Sequence, residues 1–166
     1  MPASPTDLFA FLDELGIAHA TTEHEPVFTV AEGEALKRTM PGGHTKNLFM
    51  QDKDGTIILI SAWAQSALKL NQLHKHIGTR RLSFASGELM QEVLGVTPGS
   101  VTAFALLNDT RRRVRFYVDS ALLAFATINF HPLVNTATTA IAAEDLGRFV
   151  KATGHQLNVF DFSVLG

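Results

Sequence analysis

Apolar residues near the start of the chain recur at helical spacing. Leu8, Phe11, Leu12 and Leu15 stand at i, i+3, i+4 and i+7 and form one apolar face. Ser4 precedes them as a cap, Pro5 takes the first helical position, Asp7 sits where a capping box needs its acid, and Gly16 is the stop. Residues 17–23, rich in threonine and β-branched side chains, read as a strand, and His24-Glu25-Pro26 as a turn. Thr29-Val30-Ala31-Glu32 is a second capping box and predicts a helix over about 30–39. After the loop Met40-Pro41-Gly42-Gly43, residues 44–51 and 56–61 are apolar runs joined by Asp52-Lys53-Asp54-Gly55, the clearest hairpin in the chain.

The second half continues in shorter pieces. Asn71 is positioned to cap a helix ending at Gly78, and Ser86 to cap one that turns Leu89, Val93 and Leu94 inward and stops at Gly95. Residues 101–107 read as a buried strand, with 114–118 returning as its partner after a turn begun at Asn108-Asp109. Asp119 caps a short helix through Leu123. Strands follow over 127–131 and 136–141, then a helix over about 143–153 stopped by Gly154, and a final strand over 157–162. Strands and helices do not alternate regularly, so the pattern predicts an α+β domain on a mixed, curled sheet rather than a doubly wound one. At 166 residues with no repeat, linker or low-complexity stretch, one domain spanning 1–166 is expected.

Composition narrows the functional classes. The chain is 46% hydrophobic and 18% charged, enough apolar material for a core. With no cysteine, neither a disulfide framework nor cysteine-ligated zinc is available. No apolar run reaches the roughly 20 residues of a membrane helix, and the amino terminus lacks the pattern of a signal peptide. A cytoplasmic protein with no membrane contact is expected. A formal charge of −2 gives no global attraction to nucleic acid, so any such contact is a local, salt-sensitive patch.

Three segments carry candidate chemistry. In His44-Thr45-Lys46-Asn47-Leu48-Phe49, a lysine and an amide follow a glycine loop and precede an apolar run. Lysine on a strand is otherwise a solvated edge residue. Gly95-Val96-Thr97-Pro98-Gly99-Ser100-Val101-Thr102 is most simply a helix stop and a turn, but consecutive N–H groups from Gly99, Ser100, Val101 and Thr102 can also face an oxyanion. His131 precedes Pro132, where the backbone is restrained, and reads either as a core histidine or as a site imidazole. A cation, an amide, an anion-tolerant loop and an imidazole are the parts of a site that polarises a carbonyl beside phosphate. His74 and His76 stand at i and i+2, which do not share a helix face, and no metal-ligand pattern is present, so no metal or other cofactor is expected. Arg111-Arg112-Arg113 reads as a solvated turn first and a phosphate contact second. No nucleophile elbow, phosphate-binding Gly-Lys loop or dinucleotide fingerprint occurs.

Several segments together resemble the YbaK/prolyl-tRNA-synthetase-associated editing domain family. They are Pro26-Val27-Phe28-Thr29-Val30, Lys46-Asn47-Leu48-Phe49, Arg81-Leu82-Ser83-Phe84-Ala85-Ser86, Leu94 through Val101, Leu107-Asn108-Asp109, Phe130 through Thr139, and Gly154-His155. Within the family the chain is most similar to free-standing proteins that hydrolyse alanyl-tRNA of the proline anticodon. The resemblance implies a barrel-like mixed sheet with flanking helices and a site at Lys46, the Gly99 loop and His131. The family's glycine is usually followed, after three residues, by proline. Here that position is Ala103, which puts the stiffness of the loop in question.

The expected function is that of a metal-free deacylase of mischarged Ala-tRNA(Pro), acting at the acceptor end, with prolyl-tRNA synthetase as a second candidate partner. Backbone N–H groups of Gly99, Ser100, Val101 and Thr102 hold the ester carbonyl or terminal ribose. Lys46 supplies charge near the carbonyl or terminal phosphate, Asn47 orients the ester, and His131 shapes the pocket and hydrogen-bonds the substrate. Val27, Phe28 and Val30 line the opposite wall. The resemblance also implies that the free 2′-hydroxyl of the terminal adenosine helps activate water. Two alternatives stand beside this reading: a deacylase for another small aminoacyl group such as Cys-tRNA(Pro), and a non-catalytic module that binds tRNA or the synthetase.

Overall fold

The computed structural model describes residues 1–26 and 30–165, with Val30 described by its backbone alone. The first helix, α1 (Pro5–Glu14), begins as its sequence dictates. Ser4 Oγ accepts from Asp7 N–H at 3.2 Å, Asp7 Oδ2 accepts from Ser4 N–H at 2.9 Å, and Leu8 and Leu12 are fully buried. Strand β1 (His19–Glu23) and helix α2 (Val30–Thr39) follow, then the hairpin of β2 (Gly43–Gln51) and β3 (Ile57–Trp63). Thr29, the cap expected for α2, lies outside the described residues.

The hairpin is fixed by its turn. Asp52 Oδ1 accepts from Asp54 and Thr56 N–H, at 3.0 and 2.8 Å, and the strands pair antiparallel from Thr45↔Trp63 to Gln51↔Ile57. A 3₁₀ turn (Leu70–Gln72), α3 (Leu73–Ile77), a two-residue strand β4 (Ser83–Phe84) and α4 (Gly87–Leu94) come next. Ser86 caps α4 through Leu89 N–H, and Gly95 ends it in the left-handed conformation at φ 65°. Beyond two 3₁₀ turns (Pro98–Ser100 and Ala103–Asn108) lie β5 (Val114–Asp119), α5 (Ser120–Leu123), β6 (Thr127–Phe130), β7 (Ala137–Ala142), α6 (Ala143–Ala152), β8 (Leu157–Phe160) and a 3₁₀ turn (Phe162–Leu165).

The eight strands form one mixed sheet in the order β1-β7-β6-β2-β3-β5-β8, with β4 also paired to β2. Pairs β2–β6, β3–β5 and β5–β8 are parallel and the others antiparallel. β1 and β8 end the path without pairing to each other, so the sheet is curled but not a closed barrel. The larger core gathers Leu8, Leu12, Phe49, Phe104, Phe116, Phe130 and Phe149, and a smaller one on the opposite face of the β2–β3 hairpin gathers Met50, Ile58, Ile60, Ala62, Leu73 and Phe162. Among the described residues no helix is long and apolar enough to cross a membrane.

Two expectations are overturned. Residues 101–107 are not a strand: Thr102 Oγ1 accepts from Phe104 N–H at 3.3 Å and starts the buried 3₁₀ turn. A short apolar run reports burial and not period, and a threonine cap decides the local geometry. Consequently β5 does not return along that segment but pairs in parallel with β3 and β8. Asn71 also does not cap: it lies inside the 3₁₀ turn Leu70–Gln72, and α3 starts with no side-chain cap.

Candidate functional site

The site is built where β2 enters the sheet beside β6. Gly42 has φ 103°, and a side chain there would stand 2.5 Å from Thr127 O. Only glycine allows that approach. β2 then pairs with β6 through Gly43↔Ile128 and His44↔Asn129. Thr45 Oγ1 donates to Asn129 O at 2.8 Å, and Asn129 Nδ2 donates to both Pro41 O and Gly43 O at 3.2 Å. Strand pleating sends Ile128 and Phe130 into the larger core and Asn129 to the other face. A pocket of about 140 Å³ opens there, lined by His44, Thr45, Asn129, His131 and Thr138, with Gly33, Leu36 and Lys37 of α2 at its border.

The hydrogen bonds fix which atoms face this pocket as acceptors. His131 Nδ1 lies 3.1 Å from Ala137 O, a carbonyl that only accepts, so Nδ1 carries the proton. Burial holds the His131 pKa below its ordinary value of 6.5, against the Ala137 hydrogen bond and with a smaller push from His24. The ring is therefore neutral at pH 7 and its Nε2 presents a lone pair. His24 stands 6.5 Å away, ring centre to ring centre. Its Nδ1 lies 2.8 Å from Glu25 O, which makes Nε2 the acceptor of the Thr138 hydroxyl proton at 2.7 Å. Thr138 Oγ1 is left with lone pairs only. Two carbonyls hold the Asn129 amide in one orientation, and among the described residues its buried Oδ1 has no donor. Leaving such an acceptor unmet costs about 1–3 kcal/mol, a cost the fold carries behind the pocket wall, while His131 Nε2 is the acceptor left to a ligand or water.

The expected site residues divide. Lys46 projects on the same face of β2 as His44, and its Nζ donates to Ser66 O. Asn47 points to the opposite face, where its Oδ1 accepts from Ser61 Oγ at 2.5 Å and its Nδ2 donates to Thr45 Oγ1 at 3.2 Å. Adjacent residues on a strand cannot share a face, so Lys46 and Asn47 do not converge. The turn at Gly99, Ser100, Val101 and Thr102 does not line the His131 pocket. It meets the loop after His131 at Asn135, whose Nδ2 would lie 3.2 Å from a methyl at Gly99. The Ser100 N–H is also engaged by Thr97 O at 2.9 Å and is not available to an oxyanion. Val27 and Phe28 lie outside the described residues, as does the Val30 side chain.

Of the basic run, Arg113 pairs with Glu92 at 2.7 Å and Arg112 packs over Gly154, so two of its members serve the fold. Among the described residues no three His, Asp or Glu groups stand close enough to hold a metal ion. Three site residues escaped the sequence reading: His24, Asn129 and Thr138. Asn129 left one trace, a polar residue between two apolar ones in a four-residue strand.

The chain is similar to known proteins in sequence and in fold. A family model described as an aminoacyl-tRNA editing domain matches residues 24–149. The chain is 35% identical over 155 residues to the prolyl-tRNA editing protein ProX of Acetoanaerobium sticklandii, covering 93% of this chain and 94% of that protein. It is 36% identical over 156 residues to the prolyl-tRNA synthetase associated domain-containing protein 1 of Mus musculus, covering 91% and 92%. A crystal structure described as a proposed trans-editing enzyme for prolyl tRNA synthetase superposes with a TM-score of 0.71 over 97% of this chain and 98% of that one, at 19% identity, and shares the fold.

Proposed function

The chain belongs to the aminoacyl-tRNA editing domain family, and from that premise we propose that it is a trans-acting deacylase that removes alanine from proline tRNA. Relatives named for prolyl-tRNA editing support the reaction class. The observation that carries the finer reading is the small pocket at His131, about 140 Å³, with acceptor atoms on its wall. An aminoacyl ester brings an α-ammonium, a donor group that such a wall can meet. A methyl side chain fits such a volume easily; since a cavity of about 150 Å³ also holds a benzene ring, the exclusion of a pyrrolidine ring is assigned to how closely the His131 and Leu36 walls approach and not to volume. The need for a second site is physical: a synthetase pocket shaped for proline rejects alanine weakly, since each missing methylene is worth about 1–3 kcal/mol.

In this mechanism Lys46 places positive charge at the ester carbonyl or terminal phosphate, using the N–H vectors that Ser66 leaves over. His131 Nε2 accepts a hydrogen bond from the substrate or from the attacking water, which the free 2′-hydroxyl helps to orient. The N–H groups of Gly99, Val101 and Thr102 hold the terminal ribose. Asn47 acts as a brace for Thr45 and Ser61 rather than as a direct contact. Water adds to the carbonyl, the ester C–O bond breaks, and alanine and tRNA with its terminal hydroxyl restored leave. The acceptor end of the tRNA is the partner, and relatives named for association with prolyl-tRNA synthetase support docking beside that enzyme.

Single-turnover deacylation of alanyl-, cysteinyl- and prolyl-tRNA(Pro) tests the reading. Alanine is expected to be released fastest and proline least. Faster release of cysteine would make cysteine the substrate, and binding without release of any of the three would make the chain a tRNA-binding module.

A further inference from the structure

We infer that Asp119 and Ser66 are positioning residues that aim Lys46. The inference rests on the reading above in one respect, that Lys46 meets the substrate. β3 ends at Trp63, and the chain turns back over residues 63–66 in a turn closed by Ser66 N–H donating to Trp63 O at 2.9 Å. Ala64 borders the His131 pocket, and its N–H donates to His44 O at 2.8 Å. The Ser66 carbonyl at the far end of this turn accepts from Lys46 Nζ. The direction of the lysine therefore depends on where the turn is held.

The hold comes from the next strand. Asp119 ends β5 and is 2% exposed. Its Oδ2 accepts from the Ser66 hydroxyl at 2.6 Å and from Trp63 N–H at 3.1 Å, so one oxygen grips both ends of the turn. Its Oδ1 accepts from Ala121 N–H at 3.0 Å and caps α5. Capping needs only one carboxylate oxygen. The other serves the turn alone. A lysine side chain carries four rotatable carbons and loses much rotamer freedom when held, so an arrangement that fixes Nζ before substrate arrives lowers what binding must supply. One of its three N–H groups goes to Ser66 O, and two remain for an ester oxygen or a phosphate.

A double-mutant cycle in single-turnover deacylation separates positioning from mere structure. Ser66→Ala keeps the carbonyl but removes the link to Asp119, and is expected to slow release about tenfold to a hundredfold, the worth of one short hydrogen bond to a charged group. In a Lys46→Ala background the same change is expected to do nothing further. Asp119→Asn is expected to behave alike with a larger loss, and Ser66→Thr, which keeps a hydroxyl, to restore most of the rate. The ¹⁵Nζ resonance of Lys46 is expected to move in Ser66→Ala, a readout that does not require catalysis. An unchanged rate in Ser66→Ala, or an equal loss in both backgrounds, overturns the inference. If the unmodified protein releases no amino acid, the deacylase reading fails, while the Lys46 resonance still decides whether Asp119 and Ser66 aim the lysine.

Discussion

His131 and His155 are both anchored by hydrogen bonds, yet one ring is saturated and the other is not. His155 is 2% exposed by its side chain, with Nε2 at 2.8 Å from Asp109 Oδ2 and Nδ1 at 2.9 Å from Thr153 Oγ1. Asp109 also accepts from the N–H groups of Arg113 and Val114, at 3.0 and 2.9 Å, so the cluster ties the start of β5 to the segment between α6 and β8. Every polar atom there has a partner inside the fold. His131 is half-buried beside a pocket, with Nδ1 bound and Nε2 without a partner among the described residues. A histidine with both nitrogens engaged holds structure together. One left half-engaged at a cavity wall can still bind or accept a proton from something else.

The sharpest way to break this contrast is to remove His155. His155→Ala leaves the Asp109 carboxylate buried without its side-chain partner, and breaking such a pair costs about 3–5 kcal/mol, or about 10 °C of melting temperature in a chain of this size. Calorimetry is expected to show that loss while deacylation at 25 °C, measured on the folded fraction, stays close to that of the unmodified protein. A variant that melts normally but is inactive would reverse the roles assigned to the two rings.

His131→Ala is expected to do the opposite. The melting temperature holds, and alanine release falls about 10²–10³-fold, the usual size of losing one positioned polar group at a reacting carbonyl. Larger aminoacyl groups should gain relative to alanine, because one wall of the pocket recedes. Unchanged rates for alanyl, cysteinyl and prolyl esters would make His131 structural after all.

Acidification sharpens the comparison with a smaller effect. Burial lowers the folded His131 pKa below 6.5. Deacylation that needs a neutral ring is expected to persist as pH falls through 6.5 and to decline only below it. Over the same interval the unfolded histidine takes up its proton first, so some folding stability is lost there. At Asp109 burial alone would raise the pKa, but the hydrogen bonds from His155 and from the backbone of Arg113 and Val114 bring it below 3.8. The stability Asp109 lends is present above 3.8 and lost as pH falls through the lowered folded value. Rate and melting profiles taken together would show two separate acid transitions. A single shared transition would mean the two regions are coupled. The smallest expected effect is that of a chelator, which should leave alanine release unchanged. Loss of activity restored by zinc would add a metal to the site.

How much of this was readable beforehand depends on how local the cause is. The capping box of α1 and the Asp52 turn of the β2–β3 hairpin are set by residues within five positions of one another, and both were legible. The buried 3₁₀ turn at Ala103–Asn108 was not, because burial without a period does not specify a conformation. At the site, His131 and Lys46 stood out as residue types beside restrained or glycine-rich backbone. Asn129 and Thr138 did not, since neither means anything until β6 lies against β2 and His24 reaches β7. Asn47 was legible as a polar strand residue, while its face was fixed only by the register Asn47↔Ser61.

The pairing of β1 with β7 sets a schedule for the newborn chain. Thr21 and Thr139 share a hydrogen bond of 2.7 Å across a separation of 118 residues, and His24, directly after β1, reaches Thr138 across 114. Closing so long a loop costs little extra once both ends exist, because the penalty grows only with the logarithm of length. During synthesis, however, the early end has to wait. The ribosome must translate and release β7 before Thr138 can orient its proton toward His24. Proofreading capacity therefore arrives late in the birth of each molecule, and a polypeptide stalled before β7 would carry Lys46 and His131 but no completed pocket.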